Sequence, residues 1–155
     1  MLHRLTHHLK YLPLAAAIAM AGGCAATSDS AKPDNGLAPQ ASLTNTYWKL
    51  TQLDGSPVTM APQQEREVRI TLSDDGKVTG FTGCNRVMGG YTLAGTALRF
   101  TQLAGTRMAC PPPLMQLESA VLTKLNSVTG YQLEGEKLIL LKDGAPVARF
   151  ESVYL

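Results

Sequence analysis

Short glycine-bearing turns set the limits on what this chain can fold into. Asp54-Gly55, Asp74-Asp75-Gly76, Ala94-Gly95, Glu134-Gly135 and Asp143-Gly144 cut it into short runs, and most runs alternate apolar and polar residues. Asp and Gly together suit the tight turns of β-hairpins. A period of two turns one face of each run to a core and the other to water. In the first strand, expected over residues 45–53, Tyr47, Lys49 and Thr51 alternate with Trp48, Leu50 and Gln52. Further strands are expected over 67–72, 77–81, 91–93, 97–103, 131–134, 137–141 and 147–154, with a loop over 56–65 and an irregular centre over 83–90. Trp48, the one tryptophan, is expected to plug the core.

One run breaks the period. Leu114, Leu117, Val121, Leu125 and Val128 recur at spacings of three and four, and Met115 and Leu122 widen the stripe. That is an amphipathic helix with one face on a core. Pro112 and Pro113 suit its first turn, where a missing N–H costs nothing, and Gly130 is expected to stop it. Its polar face lacks the basic array of a membrane-surface helix. Seven or eight short antiparallel strands with one late helix make an α+β fold. It is mostly antiparallel β, a barrel-like or half-barrel sheet with the helix covering one mouth or face.

The chain of 155 residues divides into three parts. Residues 1–23 read as a lipoprotein signal peptide, with Arg4 and Lys10 in a basic start, an apolar run over 11–21, and small residues before Cys24. The apolar run is too short to span a bilayer comfortably. Cys24 sits where a lipidated cysteine would, making membrane the first expected partner, through a lipid anchor. Ala25 follows it rather than Asp, which implies sorting to the outer membrane, with the rest facing the periplasm. Residues 24–42 are then anchor and flexible tether, and residues 43–155 the domain.

Cleavage before Cys24 would remove His3, His7 and His8, the only histidines of the sequence. Triads of Ser-His-Asp type and histidine-ligated metal sites are thereby excluded from the mature chain. Loss of Arg4 and Lys10 leaves 12 of the 14 basic residues against 12 acidic ones, a net charge near zero. That balance gives no footing for nucleic acid. No carboxylate pair has a clear glycosidase arrangement, and Asp74 and Asp75 lie in a turn without calcium-loop spacing. No cofactor, no metal ion and no catalytic residue is expected.

The stretch from Gly80 to Cys110 holds what is unusual. Cys84 and Cys110 form an even pair once Cys24 is set aside. In an oxidising compartment they suggest a disulfide, the other reading being two buried thiols. Asn85 tolerates left-handed dihedrals and can bond nearby backbone. The glycines around it also suit a phosphate cradle, but no Gly-Lys-Ser/Thr follows. Arg86 suits either a carboxylate partner or an anionic ligand. Glu118 lies beside the helix stripe, placed to cap or to pair with Arg107.

These residues carry a resemblance. Gly80, Gly83-Cys84-Asn85-Arg86, Gly90-Tyr91, Thr106 through Pro111, and Glu118 fall in the order of the META domain, the HslJ-like heat-shock lipoprotein family. Three prolines, Pro111 to Pro113, stand where that pattern has fewer. The resemblance covers roughly the whole expected domain. It implies a small envelope domain of barrel-like fold without established catalytic chemistry, and marks Asn85, Arg86, Tyr91, Arg107 and Glu118 as binding or structural residues. The expected function is non-enzymatic binding in envelope stress tolerance. The expected partner is an envelope protein, such as a protease to be inhibited, or a small hydrophobic ligand, and the chain is expected to be a monomer.

A loop of about 26 residues closed by a disulfide is worth roughly 3–4 kcal/mol. If the bond forms, Cys84→Ser and Cys110→Ser should lower the melting temperature equally, and the double variant should lose little more. Independent, additive losses in thermal denaturation would show two separate thiols instead.

Overall fold

Register, more than any single strand, builds this domain. The computed structural model describes residues 40–154. The leader, Cys24 and the tether as far as residue 39 lie outside the described residues. The strands are β1 (Tyr47–Leu53), β2 (Ser56–Pro57), β3 (Arg69–Leu72), β4 (Lys77–Phe81), β5 (Arg86–Ala94) and β6 (Ala97–Gly105). Helix α1 (Pro112–Ser127) follows, then β7 (Gly130–Glu134), β8 (Lys137–Lys142) and β9 (Ala145–Val153). All pair antiparallel in the order β6-β5-β4-β3-β1-β9-β8-β7, with β2 on β1. The result is the expected α+β half-barrel with one helix. The expected turns stand between strands, and Gly55, Gly76, Gly95, Gly135 and Gly144 all take positive φ.

The two edges of the half-barrel meet at one end. The Leu98 amide donates to the Thr129 carbonyl at 3.3 Å, and the Tyr131 amide to the Thr96 carbonyl at 3.0 Å. That is one antiparallel rung between β6 and β7. It explains Gly130, where an added Cβ would lie 3.1 Å from the Thr96 oxygen. Gly130 therefore opens β7 and does not stop the helix as the sequence suggested. Helix α1 ends at Ser127, and Val128 leaves it in extended backbone at φ −63° and ψ 133°.

Three other expectations change. The irregular centre is shorter than expected, since β5 already begins at Arg86. Gly89 and Gly90 lie within it, at a register shift against β6. A Cβ on Gly89 would meet the Thr101 carbonyl at 2.8 Å, so these glycines serve a bulge with close backbone approach and not a loop. The loop over 56–65 contains β2. Met115 is exposed rather than part of the buried stripe, which Leu114, Val121 and Leu125 form.

The core lies between the concave sheet and α1. Trp48, Leu50, Ile70, Leu72, Leu98, Leu138, Leu140 and Phe150 are buried there with the helix stripe. Trp48 is fully buried and its indole N–H donates to the Leu43 carbonyl at 2.9 Å, which meets the polar need of a buried indole. Ala41 is also buried, its amide donating to the Gly135 carbonyl at 2.9 Å, so the packed fold takes in residues just ahead of 43.

Gly80 is the tightest point of the sheet. A Cβ there would stand 2.3 Å from the Arg69 carbonyl oxygen, a backbone atom that cannot swing aside. Gly80→Ala should cost about 3 kcal/mol or more in urea unfolding. Gly95→Ala, at positive φ but with open space around it, should cost about 1 kcal/mol. Equal losses would show that the close approach at Gly80 is not limiting.

Candidate functional site

The β4–β5 hairpin is closed by Thr82, Gly83, Cys84 and Asn85, since Phe81 pairs with Arg86. Gly83 turns the chain at φ +107° and packs against Leu117 of α1, which an added Cβ would meet at 3.0 Å. The Thr82 amide and hydroxyl both donate to the Asn85 carbonyl, at 2.9 and 3.0 Å. This tight loop sends the next two side chains inward.

Asn85 is 3% exposed and every polar atom it has is engaged. Its amide N–H donates to Glu118 Oε2 at 3.0 Å. Its Nδ2 donates to Glu118 Oε2 at 3.0 Å, to the Met108 carbonyl at 3.3 Å and to Cys84 Sγ at 3.2 Å. Its Oδ1 accepts from the Thr106 hydroxyl and the Met108 amide, both at 2.8 Å. One side chain thus joins the hairpin loop, the segment after β6 and the helix. The sequence suggested a left-handed backbone for Asn85, but Gly83 supplies the positive φ and Asn85 acts through its amide.

Glu118 is the helix's part of this knot. The sequence offered Arg107 as its partner, whereas Glu118 accepts from Asn85 and Arg107 is exposed. Among the described residues the ion pairs are Lys77–Asp75 and Lys124–Asp54. Arg86 enters through its backbone: its amide donates to the Thr106 hydroxyl at 3.2 Å and its carbonyl accepts from the Thr106 amide at 3.0 Å.

Cys84 and Cys110 are joined as a disulfide, with Cα atoms 6.0 Å apart. The bond ties the hairpin loop to the segment that Asn85 also holds. Beside it opens a cleft of about 500 Å³. Phe81, Met108, Ala109, Pro111 and Leu114 give it apolar walls, and Arg66 and Arg86 stand on its rim. Met115 Sδ lies 3.8 Å from Cys84 Sγ on the helix side.

Tyr91 is not brought to this place. It sits farther along β5, where its hydroxyl donates to the Ser73 carbonyl at 2.7 Å and its amide to the Gly76 carbonyl at 2.9 Å. Burial, with Asp74 and Asp75 nearby, raises its phenol pKa. It fastens the β3–β4 turn. Arg66 and Phe81 are not among the residues that the sequence marked. Their place at the cleft follows from strand pairing and from the close of a loop, which no local pattern announces.

Comparison with known proteins places this geometry among relatives. The META domain family model matches residues 41–154. A protein from Burkholderia xenovorans, solved by NMR, is 35% identical over 73% of this chain and 85% of its own, with a TM-score of 0.58. A second NMR structure is 24% identical over 68% of this chain and 87% of its own, at a TM-score of 0.55. A DUF4847 family protein from Bacteroides vulgatus shares the fold at 15% identity, covering 73% of this chain and 94% of that one, at a TM-score of 0.52. No curated protein matches the chain.

The Asn85 amide should be worth much more than the exposed Arg107 side chain. Asn85→Ala leaves Glu118 only the backbone N–H of residue 85 and takes the acceptor from the Thr106 hydroxyl and the Met108 amide, and should cost roughly 2–4 kcal/mol. Arg107→Ala, on the surface, should stay within about 0.5 kcal/mol of the parent. Urea unfolding of both checks this; a mild Asn85→Ala would remove Asn85 as the centre of the knot.

Proposed function

Because this chain belongs to the META domain family, we propose that it is a non-enzymatic binding module of the cell envelope. It is held in the outer membrane by a lipid on Cys24, with its domain in the periplasm, where it serves envelope stress tolerance. The observation that carries the binding role is the cleft of about 500 Å³ beside the disulfide. Apolar walls with a few polar groups at the rim are the usual lining of a small-molecule site. The groups behind it are already engaged. Glu118 holds Asn85, and both cysteines are in the disulfide, which favours a rigid receptor over a reactive centre. A small hydrophobic molecule is the ligand this lining suits.

A protein partner is the second reading. Exposed Met88, Met108 and Met115 favour it, because flexible thioether side chains adapt to varied apolar surfaces.

Native mass spectrometry of the chain recovered from envelopes tests the first reading. A ligand mass lost on denaturation is expected, and Ala109→Trp, filling the cleft, should abolish it. Cys24→Ala should move the protein from the membrane to the soluble fraction. A bare protein in both samples would overturn the small-ligand reading, and an unchanged distribution of Cys24→Ala would overturn the anchor.

A further inference from the structure

A second cleft lies on the outer face of the sheet and shares Arg66, Phe81 and Arg86 with the first. Arg69 on β3 pairs with Phe81 on β4, and Phe81 with Arg86 on β5. Directly opposed residues on antiparallel strands point to the same face. Arg69, Phe81 and Arg86 therefore share the outer face of the sheet, where Phe81 is 9% exposed. Arg66 joins them, and with Thr79 from β4 these side chains line a cleft of about 370 Å³.

None of the three arginines takes part in the ion pairs found among the described residues. Of the two acids flanking Arg66 in sequence, Glu65 is exposed, and Glu67 accepts from the Tyr47 hydroxyl, a hydrogen bond that, with the charges of Lys49 and Arg69, holds the Glu67 carboxyl below its usual range. Arg69 is itself positioned, its guanidinium lying over the Tyr47 ring at 4.7 Å from the centroid. Its Nε is sealed from solvent and has no acceptor. A buried donor without a partner is uncommon in folded proteins and calls for an explanation.

We infer that this cleft is an oxyanion site for a phosphate group, with Arg66, Arg69 and Arg86 as its cationic donors and the Thr79 hydroxyl beside them. Three positive charges around one opening match a dianion better than a single carboxylate. The planar fork of Arg binds phosphate oxygens in pairs. The attraction is local, because the mature chain is close to neutral. The phosphate has two sources, the free ion or the head of a lipid. Arg66, Phe81 and Arg86 also line the larger apolar cleft, so an acyl chain on the phosphate has somewhere to go. The site stands whether or not that larger cleft holds a ligand.

The test is NMR titration of the mature chain at low ionic strength, first with inorganic phosphate and then with lysophosphatidic acid. Saturable shifts of the β3–β5 amides are expected. Arg69→Gln and Arg86→Gln should each weaken binding by about tenfold, while Arg107→Gln, outside both clefts, should not change it. Circular dichroism of each variant checks that the fold is kept. Tighter binding of the lysolipid assigns the site to a lipid head, and equal binding assigns it to the free ion. Absence of saturable shifts with both probes, or shifts unaltered in folded Arg69→Gln and Arg86→Gln, would overturn the site.

Discussion

The buried amide of Asn85 is the interaction on which the rest of this end of the domain depends. A primary amide taken out of water needs acceptors for its NH₂ and donors for its oxygen, and here they come from two pieces of chain that the amide joins to a third, its own loop. Aspartate has no NH₂ to offer Glu118, and glutamine is one methylene longer in a site fixed by Gly83 and Leu117. The disulfide links two of the same three pieces, but acts differently. It restricts the unfolded ensemble, by about 3.5 kcal/mol for a loop of this size, whereas the amide acts in the folded state. The two devices support each other: the covalent tie keeps the segment after β6 near the loop, and the amide fixes its path.

That knot also completes an unfinished barrel. Strands β6 and β7 meet through a single rung, so elsewhere the sheet needs another element to cover its interior. Helix α1 does this with Leu114, Val121 and Leu125, and Glu118 on the same helix locks it to the β4–β5 loop. The clefts on either side of Phe81 therefore rest on a frame fixed by strand pairing, packing and a disulfide. Pre-formed walls lower the ordering cost of binding.

Much of this was legible in the sequence, for physical reasons that can be traced to particular residues. Asp-Gly and Glu-Gly turns are local chemistry, so the hairpins at Gly55, Gly76, Gly135 and Gly144 could be read directly. So could the helix, because Leu114, Val121 and Leu125 keep its period, and the sheet-dominated fold they imply. What failed was non-local. Gly89 and Gly90 look like loop residues until the backbone of β6 is placed against them. Gly130 looks like a helix stop until Thr96 approaches. Asn85 and Glu118 could both be marked by resemblance, yet nothing local says that one grips the other, because the turn of α1 that faces the loop is decided by core packing. Arg66 and Arg69 carry no local mark of a site, because a charged strand face usually meets only water. Only register aligns Arg69, Phe81 and Arg86 in one row.

That row is hard to explain by folding alone. Like charges lining one opening repel each other, and a partly buried guanidinium feels that repulsion more strongly than one in bulk water. Packing asks only for an apolar side chain at Phe81; a neutral residue in place of Arg69 or Arg86 would relieve the repulsion without touching the core. In the ligand-free fold the arrangement is therefore a local cost, with an unmet donor on Arg69 added to it. An anion in the cleft reverses the repulsion, since it neutralises the charges.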